Sequence, residues 1–352
     1  MKVLFVASEC TPFAKTGGLA DVIGSLPKEL KKQNIDVRVV IPKYEDIPEY
    51  FKEKMKNVAK FSVRLSWRNK YCGVEQYEKD GIIYYFIDNE YYFKRKGLYG
   101  HYDEAERFAY FNRAVIEMLM HIPFQPDIIH CHDWQTGLIP LYLKDQYRFL
   151  DFYSQMKTVF TIHNLQYQGI FPPVILGDIL ALGQEYLADE KLGFYGQVSF
   201  MKAALNYADK LTTVSPTYAH EIQNPYYGEQ LDGVLRLRAN DLAGILNGID
   251  YDEFNPMTDP HIYVNYRSSL AKKKENKVKL QEELGLPVIK DIPMIGIVSR
   301  LVEQKGFDLV AHVMNEILQN DVQLVVLGTG EERYEHMFLH FAHLYPEKVS
   351  AN

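Results

Sequence analysis

Cysteine is scarce in this chain, and the three present, Cys10, Cys72 and Cys131, are odd in number and far apart. That excludes a disulfide scaffold and fits reduced thiols in a cytosolic protein. Long hydrophobic runs are missing too. No stretch is long enough to span a bilayer, and the apolar run after Lys2 covers five residues, too few for a signal-peptide core. A cytoplasmic location with no membrane partner is therefore expected. Nor is positive charge in surplus: 39 Lys and Arg against 46 Asp and Glu leave a net charge of −7. This argues against a non-specific nucleic-acid binder. An anionic ligand would have to be held by locally placed Lys, Arg and helix ends.

What is present describes a globular chain. Of its 352 residues 47% are hydrophobic and 24% charged, enough for two domains or one large one. The most informative stretch comes first. Lys2–Ala7 has the length and β-branched content of a buried parallel strand, and a loop with Lys15, Thr16, Gly17 and Gly18 follows it. From Leu19, apolar residues recur at helical spacing through Leu30. A glycine turn at a helix start, beside a lysine, suits a phosphate. A tight strand-to-helix turn with a solvated lysine would leave the same pattern, and the spacing is neither that of a Walker loop nor G-x-G-x-x-G.

Further along, Asp36–Pro42 closes a first βαβ unit, and Phe61–Trp67, Val74–Tyr77 and Ile82–Ile87 alternate like a small antiparallel excursion inserted in the sheet. Tyr91, Tyr92, Phe93, Tyr99 and Tyr102 crowd a loop with Gly97 and Gly100. Such aromatics suit sugar stacking, or they fold back onto their own core. Residues 104–121 predict an amphipathic helix. The strand Pro126–Cys131 then ends in HCHDWQTGL, and ligands gather at the carboxyl ends of parallel strands. His130 and His132 point the same way but lack a third ligand nearby, so no metal is expected. Asp133 would serve equally as a helix N-cap. After strand Lys157–Thr161, the loop 162–171 offers His163, Asn164, Gln166, Tyr167 and Gln168 for bonding hydroxyls.

An irregular Asp/Asn/Pro stretch at 245–262 reads as a hinge between domains at 1–245 and 246–352. Beyond it the opening is repeated: strand Pro293–Ser299, a basic loop with Arg300, Lys305 and Gly306, then a helix, then strand Asp321–Leu327 and the turn Gly328–Gly330. Arg can bind phosphate in a bidentate way.

Seven segments in order, KTGGLADV, HCHDWQTGLIP, TIHNLQYQG, VSPTYAHEI, GILNGID, SRLVEQKGFDL and LGTGE, resemble the bacterial glycogen synthases and plant starch synthases. The resemblance implies an α/β fold of the GT-B kind, two Rossmann-like domains facing across a cleft, with a starch-synthase-type N-terminal catalytic domain and a nucleotide-sugar-binding second domain. It implies glucosyl transfer from ADP-glucose, with UDP-glucose as the other candidate donor, to glycogen or another α-1,4-glucan, with retention, by front-face attack, and with neither metal nor cofactor. By the same resemblance Lys15 and Gly18 meet the donor, His163 sits beside the transferred glucose and Asp133 near sugar hydroxyls. Arg300 and Lys305 neutralise the diphosphate, Asn247, Gly328 and Gly330 line the donor side, and Tyr99 is an acceptor contact. The family's Glu-x7-Glu motif has no equivalent here, and residues 246–352 supply about two βαβ units. A C-terminally truncated member with an incomplete second domain is therefore expected. The alternatives are a glucan-binding but inactive chain and a related retaining glycosyltransferase of the same architecture.

Overall fold

The apolar run after Met1 forms β1 (Lys2–Val6), with Val3 to Val6 buried on both faces, as a central parallel strand requires. The structure is a computed structural model and describes residues 1–188 and 190–352. It divides into two units, Met1–Ile249 and Asp250–Asn352. Asn247 thus belongs with the first unit.

In the first unit β1 is joined by β2 (Asp36–Pro42), β3 (Lys56–Leu65), β4 (Arg68–Lys79), β5 (Ile82–Asp88), β6 (Ile128–His132) and β7 (Lys157–Ile162). A small antiparallel sheet of β8 (Ile170–Phe171), β9 (Gly193–Phe194) and β10 (Gln197–Ser199) intervenes before β11 (Lys210–Thr213) and β12 (Leu242–Gly244). The order across the main sheet is β12-β11-β7-β6-β1-β2-β5-β4-β3. From β12 to β5 every pairing is parallel, while β4 pairs antiparallel with both β5 and β3, so β4 alone runs against the rest. The expected antiparallel excursion is the β3–β4–β5 meander, whose last strand, Ile82–Asp88, pairs antiparallel with β4 on one side and parallel with β2 on the other.

From β1 the chain builds outward through β2 and β5, then returns to lay β6 on the other side of β1. The crevice between the carboxyl ends of β1 and β6 is thus the point where strand order reverses, the place where open α/β sheets collect ligands.

The predicted amphipathic helix is observed at Glu104–Met118, but it is buried around its whole circumference. It packs against β3, the Leu138–Tyr142 helix and the Leu176–Leu180 turn, so its polar residues must be satisfied internally. Arg107, with no exposed surface, donates to Tyr92 O at 2.9 Å and Leu98 O at 3.3 Å and pairs with Glu104, which fastens the Tyr-rich loop to the core. Asn112 uses all its bonding capacity. Its Oδ1 accepts from Leu138 N and Ile139 N at 3.0 Å each, and its Nδ2 donates to Phe108 O and Gln135 O at 2.6 Å. The Tyr-rich segment divides accordingly: Tyr92 and Phe93 are core, while Tyr91 and Tyr102 stay exposed around Arg95.

The second unit is a parallel sheet in the order β13 (Met294–Val298), β14 (Gln323–Leu327), β15 (Val349–Ala351), linked by helices Phe307–Gln319 and Glu332–Leu344. Leu301, Phe307, Met314, Leu324, Tyr334 and Phe338 are among its core residues.

Replacing Asn112 with Leu strands two backbone N–H groups and the Gln135 carbonyl without partners. The expected cost is about 3–5 kcal/mol, read as a fall in the denaturant midpoint. An Asn112→Leu chain as stable as the parent would show that this side chain does not brace the Leu138 helix start.

Candidate functional site

Three carboxyl-end loops of the first unit meet at its switch point. After β1 the chain turns through Glu9, whose side chain is only 4% exposed. Its carboxylate accepts from Thr16 N at 2.5 Å, Thr16 Oγ1 at 3.0 Å, Gly17 N at 3.2 Å and the Tyr99 hydroxyl at 2.8 Å, and Tyr99 also bonds Ser8 Oγ at 2.7 Å. Two of the N–H groups expected to await an external anion are therefore occupied by the chain's own carboxylate. Sequence reasoning passed over Glu9, since a lone acid after a strand carries no motif. Lys15, 47% exposed, pairs with Asp21 of the Gly18–Lys32 helix at 2.7 Å, a surface bond weak enough to be exchanged. Gly18 opens that helix with open space where a Cβ would stand.

At the end of β6, Asp133 adopts φ +56°, ψ 176°, a conformation costly for a residue with a side chain. The expected N-cap does not form. The following turn is a short 3-10 helix that takes no side-chain bond from Asp133. Instead Asp133 Oδ1 accepts from His163 N at 2.8 Å and Asn164 N at 3.4 Å, tying the ends of β6 and β7 together. Its other oxygen has no hydrogen-bond partner among the described residues. Burial, helped by the negative charge of Glu9, pushes the Asp133 carboxyl up to about 7, although the two N–H bonds oppose the rise.

The rings of His130, His132 and His163 lie in a row, tilted by 31° and 40° to one another. His130 and His132 ring centroids lie 4.2 Å apart, and those of His132 and His163 lie 5.2 Å apart. His130 Nε2 meets Thr161 Oγ1 at 2.7 Å, and His132 Nδ1 meets His163 Nε2 at 3.0 Å. Burial lowers His130 to about 3, with the His163 charge contributing, and lowers His163 to about 4 and His132 well below its ordinary value. All three are neutral rings at physiological pH. One proton lies between His132 and His163, and His132 Nε2 is buried without a partner. Donation by His132 leaves a bare nitrogen there, whereas donation by His163 would leave an orphaned N–H, the rarer and costlier defect. The favoured tautomer has His132 donating and His163 carrying its own proton on Nδ1. Among the described residues no group of three or more His, Cys, Asp or Glu is arranged to hold a metal ion.

In the second unit Arg300 follows β13 and Lys305 closes a short turn before Gly306. Both are exposed, and neither makes an ion pair among the described residues. The loops after β13 and β14 are zipped together: Leu301 N donates to Thr329 O at 2.9 Å and Glu331 N to Leu301 O at 2.7 Å. A Cβ on Gly328 would stand 2.0 Å from Ser299 O and one on Gly330 2.2 Å from Leu301 O, so both positions must be glycine for the backbones to approach. Thus Arg300, Lys305, Gly328 and Gly330 gather at one sheet end. Asn247 lies exposed in the first unit beyond β12.

Residues 2–237 match the starch synthase catalytic domain family. The whole chain is 61% identical to a glycogen synthase from Desulforamulus reducens, covering 74% of that protein. Over 99% of its length it is 59% identical to one from Anoxybacillus flavithermus, covering 72%. Among solved structures it superposes on the catalytic domain of starch synthase IV from Arabidopsis thaliana bound to ADP and acarbose, with TM-score 0.91 and 30% identity, covering 99% of this chain and 73% of that one. A sucrose-phosphate synthase from Thermosynechococcus elongatus, at 16% identity and TM-score 0.55, shares the fold alone. The fold class is the expected α/β GT-B type.

The ionisations have opposite signs in stability. The native Asp133 holds its proton up to about pH 7 while the unfolded carboxyl releases it near 4, so this group withdraws stability as pH rises from about 4 to 7. The histidines resist protonation when folded, and their contribution is lost as pH falls below about 6.5. Denaturant midpoints of the parent and Asp133→Asn are therefore expected to diverge steadily in favour of the variant between pH 4 and 7. A pH-independent difference would contradict the raised carboxyl.

Proposed function

The chain belongs to the glycogen synthase family of glycosyltransferases, and from that premise we propose that it moves glucose from ADP-glucose to the non-reducing end of an α-1,4-glucan with retention. The observation that carries this reading is the meeting of the Glu9-braced Lys15–Gly18 loop, Asp133 and His163 at the switch point of one parallel sheet. A neutral His163 with its proton on Nδ1 can donate to a sugar hydroxyl. An unpartnered oxygen of Asp133 can accept from another. Lys15 and Gly18, Asn247, and Gly328 and Gly330 are the proposed donor contacts, and Tyr99 contributes on the acceptor side through its ring, because its hydroxyl is held by Ser8 and Glu9.

In the proposed step the bond from the anomeric carbon to the diphosphate oxygen breaks as the acceptor hydroxyl oxygen bonds to the same face of that carbon. The acceptor's proton passes to the departing phosphate oxygen, giving ADP and a glucan longer by one glucose. Negative charge grows on the leaving oxygen, and exposed Arg300 and Lys305, held by no internal ion pair among the described residues, are available to it. Each preorganised cation contributes roughly 3 kcal/mol by analogy with other electrostatic donors. Positive charge grows on the anomeric carbon and favours nearby electron-rich oxygens.

Radiolabelled glucose transfer to glycogen from ADP-glucose and from UDP-glucose, with glycogen binding followed in parallel, tests the reading. Faster transfer from ADP-glucose is expected. Faster transfer from UDP-glucose would overturn the donor assignment, and binding without transfer would leave a glucan-holding chain. Arg300→Ala and Lys305→Ala are each expected to cut turnover by two orders of magnitude or more with the melting temperature unchanged. Near-parental turnover in either would remove that residue from the leaving-group role. His163→Ala should lose turnover while donor affinity is largely kept, and a defect confined to affinity would contradict its placement.

A further inference from the structure

Parallel pairing of β6 with β7 sets His132 opposite Thr161, and His163 follows two residues after Thr161. Side chains alternate along a strand, so His130, His132, Thr161 and His163 share one face at the carboxyl ends of the two strands. On the neighbouring β1, Phe5 pairs with His130 and lays its ring along that of His132, 5.3 Å away and tilted by 20°. His132 has no exposed surface, and with Phe5 and His130 packed against it the ring has no water to bond.

The hydroxyl that register brings beside it is already in use. Thr161 Oγ1 bonds His130 Nε2 at 2.7 Å and Thr212 Oγ1 at 2.6 Å. His132 Nε2 is left buried without a partner, while its Nδ1 meets His163 Nε2 at 3.0 Å. A neutral ring has one N–H, and burying an orphaned N–H costs more than burying a bare nitrogen. His132 therefore carries its proton on Nδ1 and donates it, and His163 accepts on Nε2 and keeps its own proton on Nδ1. That arrangement reverses the preference of a free histidine side chain, which in water favours Nε2–H.

The next residue completes the grip. Asp133 Oδ1 accepts from His163 N at 2.8 Å, so consecutive residues at the end of β6 fix His163 twice, Asp133 by its backbone and His132 by its ring. His163 itself is half-buried and keeps part of its surface open. With its proton on Nδ1, His163 and the Asp133 carboxylate offer one donor and one acceptor, and two sugar hydroxyls can be oriented in a single sense between them. Were the proton on Nε2, both groups would be acceptors and that sense would be lost.

We propose that His132 is a positioning residue of the transfer reaction: without touching substrate, it keeps the His163 proton on Nδ1, where it is offered to a sugar hydroxyl. This rests on the glucosyl-transfer reading above. Long-range proton–nitrogen correlation spectra of the full chain carrying isotope-labelled histidine show which ring nitrogen is protonated, and His163→Ala identifies the His163 signals. The parent is expected to show His163 as Nδ1–H. In His132→Leu, which removes the donor, His163 should turn to Nε2–H, and turnover should fall roughly tenfold while the KM for ADP-glucose is held. His132→Asn keeps an amide within reach, and its turnover should follow whichever tautomer its spectrum shows. Melting temperatures check that each variant is folded, and His132→Asn carries the test alone if His132→Leu is not. A parent His163 found as Nε2–H, a His132→Leu chain still holding Nδ1–H, or turnover that ignores the tautomer overturns the proposal. A parent that transfers no glucose sinks the transfer reading instead, and the tautomer change in His132→Leu then upholds the coupling of the two rings.

Discussion

A parallel sheet buried on both faces can expose polar chemistry in only one kind of place, the loops that leave its strand ends. In the first unit that constraint governs nearly everything. β1 and β6 are filled with Val, Ile, Leu and Phe, and helices or loops cover both faces. The strand order reverses beside β1, so consecutive loops diverge there and leave a crevice. Glu9, Asp133 and His163 come from three different strand ends, and each is steadied by a group from another. Glu9 holds the 16–17 backbone, Tyr99 holds Glu9, and Asp133 holds the backbone at His163. Strain at Asp133 is maintained because the two N–H bonds it makes could not be made from an ordinary cap geometry.

The second unit solves the same problem with glycine. Its two carboxyl-end loops lie so close that Gly328 and Gly330 touch the backbone of the Ser299–Leu301 segment. The consequence for chemistry is indirect: with both loops locked backbone to backbone, the Arg300 side chain starts from a fixed point. A motif of small residues here therefore reports packing first, and any contact with a nucleotide follows from that packing.

Periodicity made the parallel strands legible, β1 and β2 among them. It failed where a residue's environment, rather than its spacing, decides. Residues 104–118 contain polar groups at intervals that suggest a wet face, yet Arg107 and Asn112 are enclosed because three elements crowd that helix. Asp133 looked like a cap because Asp is common in caps, and only the β7 backbone beside it reveals the other use of its carboxylate. Glu9 was invisible for the opposite reason, since its partners lie seven, eight and ninety residues away.

The neutral histidines explain one further choice. On the proposed reaction positive charge develops at the anomeric carbon, and an imidazolium beside it would repel that charge in water-poor surroundings. An exposed histidine at neutral pH is partly protonated, since its ordinary value lies near 6.5. Burial holds His163 to about 4 and removes that fraction, with the His132 ring 5.2 Å away and the His130 ring beyond it. The hydrogen bond from His132 then leaves His163 one proton, on Nδ1. Two histidines with no contact to substrate would thereby decide what the third offers it: a hydrogen-bond donor without a charge.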